Sequence, residues 1–135
     1  MEFSIATQGR YDFINITEML NQKVKSSKVE SGIALVSALH ATVAITIMEW
    51  EDGIKKDIKE VLEKLAPENK VYEHHKRWGD HNGAAHIKSA LMGPSLSLSV
   101  ENGELKLGQW QQVALIDFDE KPRERRIDVK VLAAN

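Results

Sequence analysis

Ser95-Leu96-Ser97-Leu98-Ser99-Val100-Glu101-Asn102-Gly103-Glu104 alternates small polar and aliphatic residues and then runs into an Asn-Gly pair. Successive side chains on a strand point to opposite faces. The spacing therefore predicts a half-buried strand, with Leu96, Leu98 and Val100 turned to a core and the serines turned out. Asn-Gly suits the left-handed backbone of a tight hairpin turn, so the chain should return antiparallel. Leu105 to Leu107, Trp110 to Phe118 and Arg125 to Leu132 complete that antiparallel set. In the last of these, Ile127, Val129 and Val131 alternate with Asp128 and Lys130.

Working outward, Ser4 to Ile14 has strand-like alternation around Ile5, Tyr11 and Phe13. Asn15 stands three residues before Glu18, a capping pattern for a helix carrying Ile16, Met19, Leu20 and Val24 on one side. Gly32 to Leu39 and Val43 to Met48 read as buried strands with only His40-Ala41-Thr42 between them. They form either a tight hairpin or one long strand bent near His40, and the bent strand is the favoured expectation. Ile54, Ile58, Val61, Leu62 and Leu65 make an apolar stripe on the clearest helix, with Asp52 as its expected cap and Pro67 just past its end. Glu68 to Ala85 lacks periodicity and reads as a long polar loop, and His86 to Met92 as a helical turn or two stopped by Gly93-Pro94. These elements define an α+β fold. It is one compact domain over residues 1–135, a mainly antiparallel sheet or sandwich with two main helices.

The 135 residues suit a single core, and 42% of them are apolar. A net charge of −2 gives no basic face for nucleic acid. No apolar run approaches the roughly 20 residues of a membrane span. Cysteine is absent, which removes disulfides, thiolate metal sites and a cysteine nucleophile. The first residues lack a basic start followed by an apolar core, so a cytoplasmic location is expected. Walker A, GxGxxG, GxSxG, HExxH and EF-hand patterns are all missing.

What stands out chemically is histidine. His74, His75, His81 and His86 crowd around Gly79-Asp80-His81-Asn82-Gly83, and His40 lies alone between two apolar segments. Imidazoles bind divalent metals and move protons near neutral pH. Each also has a plain reading: His86 as a cap or core histidine, His81 as a solvated one, and at most one of His74 and His75 as a ligand. His40 must find partners if it is buried. Glu49 ends an apolar run, and is either a solvated strand end or a partner for His40. Gly93-Pro94-Ser95 is either a phosphate-binding turn or a helix stop. Lys88 and Arg77 are either anion contacts or surface charge.

His40-Ala41-Thr42, Glu49, Tyr72-Glu73-His74, Asn82, His86-Ile87-Lys88-Ser89, Leu91-Met92-Gly93-Pro94-Ser95-Leu96 and Leu107-Gly108-Gln109-Trp110-Gln111 together resemble the YjbQ-like family, also called secondary thiamine-phosphate synthases. The likeness covers almost the whole chain. It departs at Ala41, Trp50 and Gln112, where the family usually has Thr or Ser, Asn, and Gly. The resemblance implies a compact α+β fold assembling as a homotrimer. It also implies weak thiamine-phosphate synthase activity, in which a pyrimidine-methyl diphosphate joins a thiazole phosphate with release of pyrophosphate. On this resemblance His40, His74 and His86 would hold a divalent metal, zinc or, with a diphosphate substrate, magnesium. Glu49, His40 and His86 would be the catalytic groups. Asn82, Lys88, Ser95 and Gln111 would contact the phosphorylated small-molecule substrate. No nucleic acid and no membrane is expected as a partner. The other reading is a trimeric metal- or metabolite-binding protein with incidental activity.

Overall fold

The computed structural model describes residues 1–135. In chain order the elements are β1 (Glu2–Thr7), β2 (Asp12–Asn15), α1 (Thr17–Ser27), β3 (Ser31–Ala38), β4 (Val43–Met48), α2 (Asp52–Leu65), α3 (Glu73–Trp78), α4 (Gly83–Met92), β5 (Ser95–Glu101), β6 (Glu104–Leu105), β7 (Gln112–Asp117) and β8 (Arg123–Ala133). They build two antiparallel sheets, ordered β1-β8-β3-β5-β6 and β2-β7-β4. The α+β sandwich expected from the alternating serines is present.

In the five-stranded sheet every second residue faces inward. Ala34, Val36, Leu98, Val100, Ile127 and Val129 meet Val43, Ile45, Val113 and Leu115 of the other sheet, and α1 closes the end of this core with Leu20 and Val24. Each Val, Leu or Ile side chain among them, fully buried, contributes about 1.5–3 kcal/mol. The outer face of this sheet is uncovered: Ser95, Ser97 and Ser99 lie beside exposed Ile33, Leu35 and Leu132. The three-stranded sheet is covered on both faces. Ala44, Ile116 and Phe118 point away from the first core and pack on Leu62 of α2 and Ala85 of α4. That double burial explains why β4, apart from Thr46, and the middle of β7 are apolar without alternation.

Several expectations are corrected. Gly32–Leu39 and Val43–Met48 are neither a hairpin nor one bent strand. Both edges of β3 are taken, by β5 and β8, so the chain crosses at residues 39–42 into the second sheet, where β4 pairs with β7. The stretch from Ser4 to Ile14 is broken in two, because Gly9, Arg10 and Tyr11 all have positive φ. The two main helices, α1 and α2, are joined by two shorter ones, and residues 68–85 are not one loop: they contain α3 and the start of α4. Glu51, not Asp52, caps α2, its carboxylate accepting from the Ile54 N–H at 2.6 Å. Asn15 accepts from the Thr17 N–H at 3.0 Å, one residue earlier than the expected capping pattern. No helix is long and apolar enough to cross a membrane.

Candidate functional site

The end of β7, the turn after it and the start of β8 bring two acidic residues and an arginine together at one end of the sandwich, where they are sealed from water. Arg125 grips Asp117 through Nε to Oδ2 at 2.7 Å and Nη2 to Oδ1 at 2.9 Å. Thr7 Oγ1 donates to the same Oδ2. Beside this pair, Asp119 collects donors at both oxygens. Oδ1 accepts from the Glu120 N–H at 2.7 Å and Asn82 Nδ2 at 3.4 Å. Oδ2 accepts from Thr42 Oγ1 at 3.0 Å, Arg123 Nε at 3.2 Å and Arg125 Nη2 at 3.4 Å. Thr42 Oγ1 in turn accepts from Arg125 Nη2 at 2.8 Å. Burial alone would raise the Asp119 carboxyl. The Glu120 N–H, the Thr42 hydroxyl and the Arg123 charge outweigh it and hold the carboxyl below its ordinary 3.8.

On this floor sit α3 and α4. Gly83 opens α4, and a Cβ there would lie 2.8 Å from Tyr72 Cβ and 2.9 Å from His75 Nε2, so only glycine lets the two helices approach this closely. Both ring nitrogens of His75 face backbone N–H groups, from Gly83 at 3.0 Å and from Tyr72 at 3.4 Å. His75 is thereby the structural member of the pair. His74 turns the other way. Its Nε2 lies 3.1 Å from Asn82 Oδ1 and 3.3 Å from Asp80 Oδ1, and its ring is 4.4 Å from that of His86. His86 is held below its ordinary pKa by burial first and by His74 second. His81 is exposed.

The remaining candidates are distributed over the molecule. His40 stands at the same end of the sandwich but on its own: Nε2 accepts from the Arg126 N–H at 2.7 Å. Its pKa is held below the ordinary 6.5 by burial and then by Arg125 and Arg126. Glu49 and Gln111 are at the far end. Met48 pairs with Gln112 while Val43 pairs with Asp117, so the length of β4 separates them from Thr42 by about 20 Å at ~3.3 Å per residue. The expected His40/Glu49/His86 cleft is therefore not assembled within one chain. Gln111 Oε1 accepts from the Gly108 N–H at 2.7 Å. Lys88, expected at an anion, is fully buried and bound to Glu63 at 2.5 Å. The turn before Ser95 ties α4 to both sheets, since Gly93 O accepts from the Ile45 N–H and Pro94 O from the Ala38 N–H. Ser95 itself is exposed and pairs with Ser37 in the sheet.

Neutral imidazoles are ordinary donors to zinc and related divalent ions. His74 and His86 lie side by side, and no three His, Asp or Glu side chains of the chain are grouped so as to hold a metal ion. An ion at this pair would need further donors from a ligand or from another chain.

The groups that sequence reasoning passed over are Asp117, Asp119, Arg123 and Arg125. Ile116-Asp117-Phe118-Asp119 carried one usable signal: acidic residues alternating with apolar ones at the end of an otherwise apolar strand.

Fold and site together define a small α+β sandwich with a buried carboxylate–arginine network beneath a pair of histidines. The family model described as UPF0047 protein YjbQ-like matches residues 1–134. A UPF0047 protein of Archaeoglobus fulgidus is 41% identical over 132 residues, 98% of this chain and 100% of that one. UPF0047 protein YugU of Bacillus subtilis is 35% identical over 129 residues, 95% of each. Among solved structures, an uncharacterised YjbQ/UPF0047 protein of Clostridium acetobutylicum superposes with a TM-score of 0.88 at 38% identity, over 98% of this chain and 99% of that one. A protein of unknown function from Sulfolobus solfataricus gives 0.88 at 27% identity, over 99% and 97%. The chain belongs to the YjbQ/UPF0047 family.

Proposed function

We propose that this protein is a small-molecule enzyme of the thiamine-phosphate synthase type, acting in the cytoplasm as a homotrimer. It joins a pyrimidine-methyl diphosphate to a thiazole phosphate and releases pyrophosphate. The observation that carries this reading is the His74–His86 pair, 4.4 Å between rings and backed through Asn82 by the buried Asp119. A divalent ion, zinc or magnesium, held by these imidazoles would neutralise charge on the diphosphate leaving group. The protein's own part is to present imidazole nitrogens in an orientation fixed, for His74, by Asn82. Glu49 reaches such a site only from another subunit.

The test is pyrophosphate release and thiamine-phosphate formation by purified protein supplied with both substrates and either ion. His86→Ala should abolish both. An unchanged rate in that variant would sink the assignment. The second reading, a trimeric metal- or metabolite-binding protein with incidental activity, is favoured by one feature: Glu49, the expected base, lies at the far end of β4 from the histidine pair. Ligand binding by Glu49→Gln without any dependence of turnover on Glu49 would support it.

A further inference from the structure

Part of the apolar stripe on α2 has nothing packed on it. Leu62 is buried, but Val61 and Leu65 are 55% and 65% exposed. Between α2 and the end of α4 lies an open groove of about 300 Å³, lined by Ile54, Asp57, Ile58, Val61, Leu62 and Met92. Asp57 is its one polar residue. The ion pairs of α2 join Asp52 to Lys55, Glu60 to Lys64 and Glu63 to Lys88, and leave the Asp57 carboxylate out.

Two indoles stand in water. Trp78 is 64% exposed, and the Arg77 guanidinium lies 5.3 Å from the centre of its ring. Trp110 is 68% exposed, in a turn that Gln111 ties twice to Gly108: Gln111 Oε1 accepts from the Gly108 N–H at 2.7 Å, and the Gln111 N–H donates to Gly108 O at 3.0 Å. A buried indole needs apolar walls for its ring and one acceptor for its N–H. The groove supplies five apolar side chains and the Asp57 carboxylate. The Trp110 turn is already ordered, so little freedom is lost on docking.

We propose that the groove between α2 and α4 receives Trp110 of a second copy of this chain, with Asp57 accepting from the indole N–H. This contact presupposes the homotrimer of the proposed function and supplies the two surfaces that meet in it. Tryptophans filling apolar pockets are typical interface anchors. A knob on one surface and a groove on another repeat head to tail, and a closed ring of three fills every groove. The contact also carries Glu49 of the second copy toward the histidines. Met48 pairs with Gln112, so Glu49 lies beside the Trp110 turn, and Met92 is about 9 Å along α4 from His86 at ~1.5 Å per residue.

The chain has no cysteine, so introduced thiols report on this contact alone. In the full chain, Gln109→Cys puts a thiol beside the knob and Val61→Cys puts one at the groove, both at exposed positions. At micromolar concentration a short bis-maleimide should join chains carrying both substitutions into species of two and three times 15.2 kDa, and should join neither single variant. Trp110→Ala should scatter at the mass of one chain, while Trp78→Ala keeps the mass of three. A wild-type monomer overturns the proposal and the homotrimer together. A wild-type trimer whose doubly substituted chain stays unlinked, with Trp110→Ala still trimeric, overturns the docking and leaves the homotrimer standing. A trimer lost in Trp78→Ala and kept in Trp110→Ala overturns it as well, and gives the groove to the other indole.

Discussion

Arg125 and Asp117 form a two-pronged ion pair at 2.7 and 2.9 Å whose side chains are 4% and 0% exposed. Taking both charges out of water is costly, and the pair is held only because every oxygen of Asp117 is also hydrogen-bonded, to Thr7 and to the Asp119 N–H. Replacing Arg125 by Met leaves Asp117 buried and unpaired. The expected loss is about 3–5 kcal/mol of unfolding free energy in urea titration. Arg125→Lys should also lose stability, because an ammonium cannot reproduce the planar fork. A stability equal to wild type in both variants would contradict the assigned role.

Gly83→Ala tests the contact between α3 and α4. The added Cβ meets Tyr72 Cβ at 2.8 Å and His75 Nε2 at 2.9 Å, so α3 must move. Overpacking of this kind costs about 1–3 kcal/mol. The informative reading is metal affinity, which should fall as His74 is carried away from His86. A destabilised variant with unaltered Zn2+ affinity would separate the histidine pair from metal binding.

Much of the fold was legible from alternation. The serines of β5 and the Ile127–Val129–Val131 series each marked a one-sided strand, and both lie in the sheet with an open face. β4 was legible as buried but not as paired, because a strand covered on both faces carries no mark of its partner; that is why its transfer to the second sheet was missed. The sequence drew attention to the histidine segment and the resemblance singled out His74; the structure shows His75 bonded to the Gly83 N–H instead. The Asp117–Asp119–Arg125 network was silent for a different reason. Each member taken alone resembles surface charge, and Thr42 and Asn82 approach it from elements remote in sequence.

The pH dependence of stability follows from His86 and His40. Both are held below the ordinary 6.5, in each case by burial first, then by His74 for His86 and by Arg125 and Arg126 for His40. The unfolded chain therefore binds protons that the folded chain refuses. Stability should be full above about pH 6.5 and decline as pH falls below it toward the folded values. Asp119, held below 3.8, adds a further loss only in stronger acid. Urea midpoints measured between about pH 8 and about pH 5 should fall, and His86→Gln should flatten part of that slope. A midpoint constant across this window would mean that neither histidine resists protonation.

Lys88 was expected at an anion and is instead the most deeply buried cation. Its ammonium binds Glu63, which also accepts from the Tyr11 hydroxyl at 2.6 Å, and it lies 4.6 Å from the Tyr11 ring. Burial would raise Glu63, but Lys88 and Tyr11 hold it below its ordinary value. Glu63 keeps partial access to water, so Lys88→Met should cost less than breaking a sealed pair, about 1–3 kcal/mol. Substrate KM should not change. A raised KM at unaltered stability would restore Lys88 to the phosphate site.

Glu49 supplies the sharpest test of assembly. About 20 Å of β4 separates it from the end of the sandwich where Thr42, Asp119 and Asn82 meet, at ~3.3 Å per residue. No motion of this strand inside the sandwich can close that distance. If Glu49 serves the His74–His86 site, it must come from a neighbouring copy. Trp110, 68% exposed and close to Gln111 at that far end, offers apolar surface for such a neighbour. Light scattering should then give about three times the 15.2 kDa chain mass. Glu49→Gln and His86→Ala should each be inactive alone, and subunits of the two variants, mixed under exchanging conditions, should regain part of the activity. A monomer in scattering, or full activity in Glu49→Gln, would confine the chemistry to the histidine pair of a single chain.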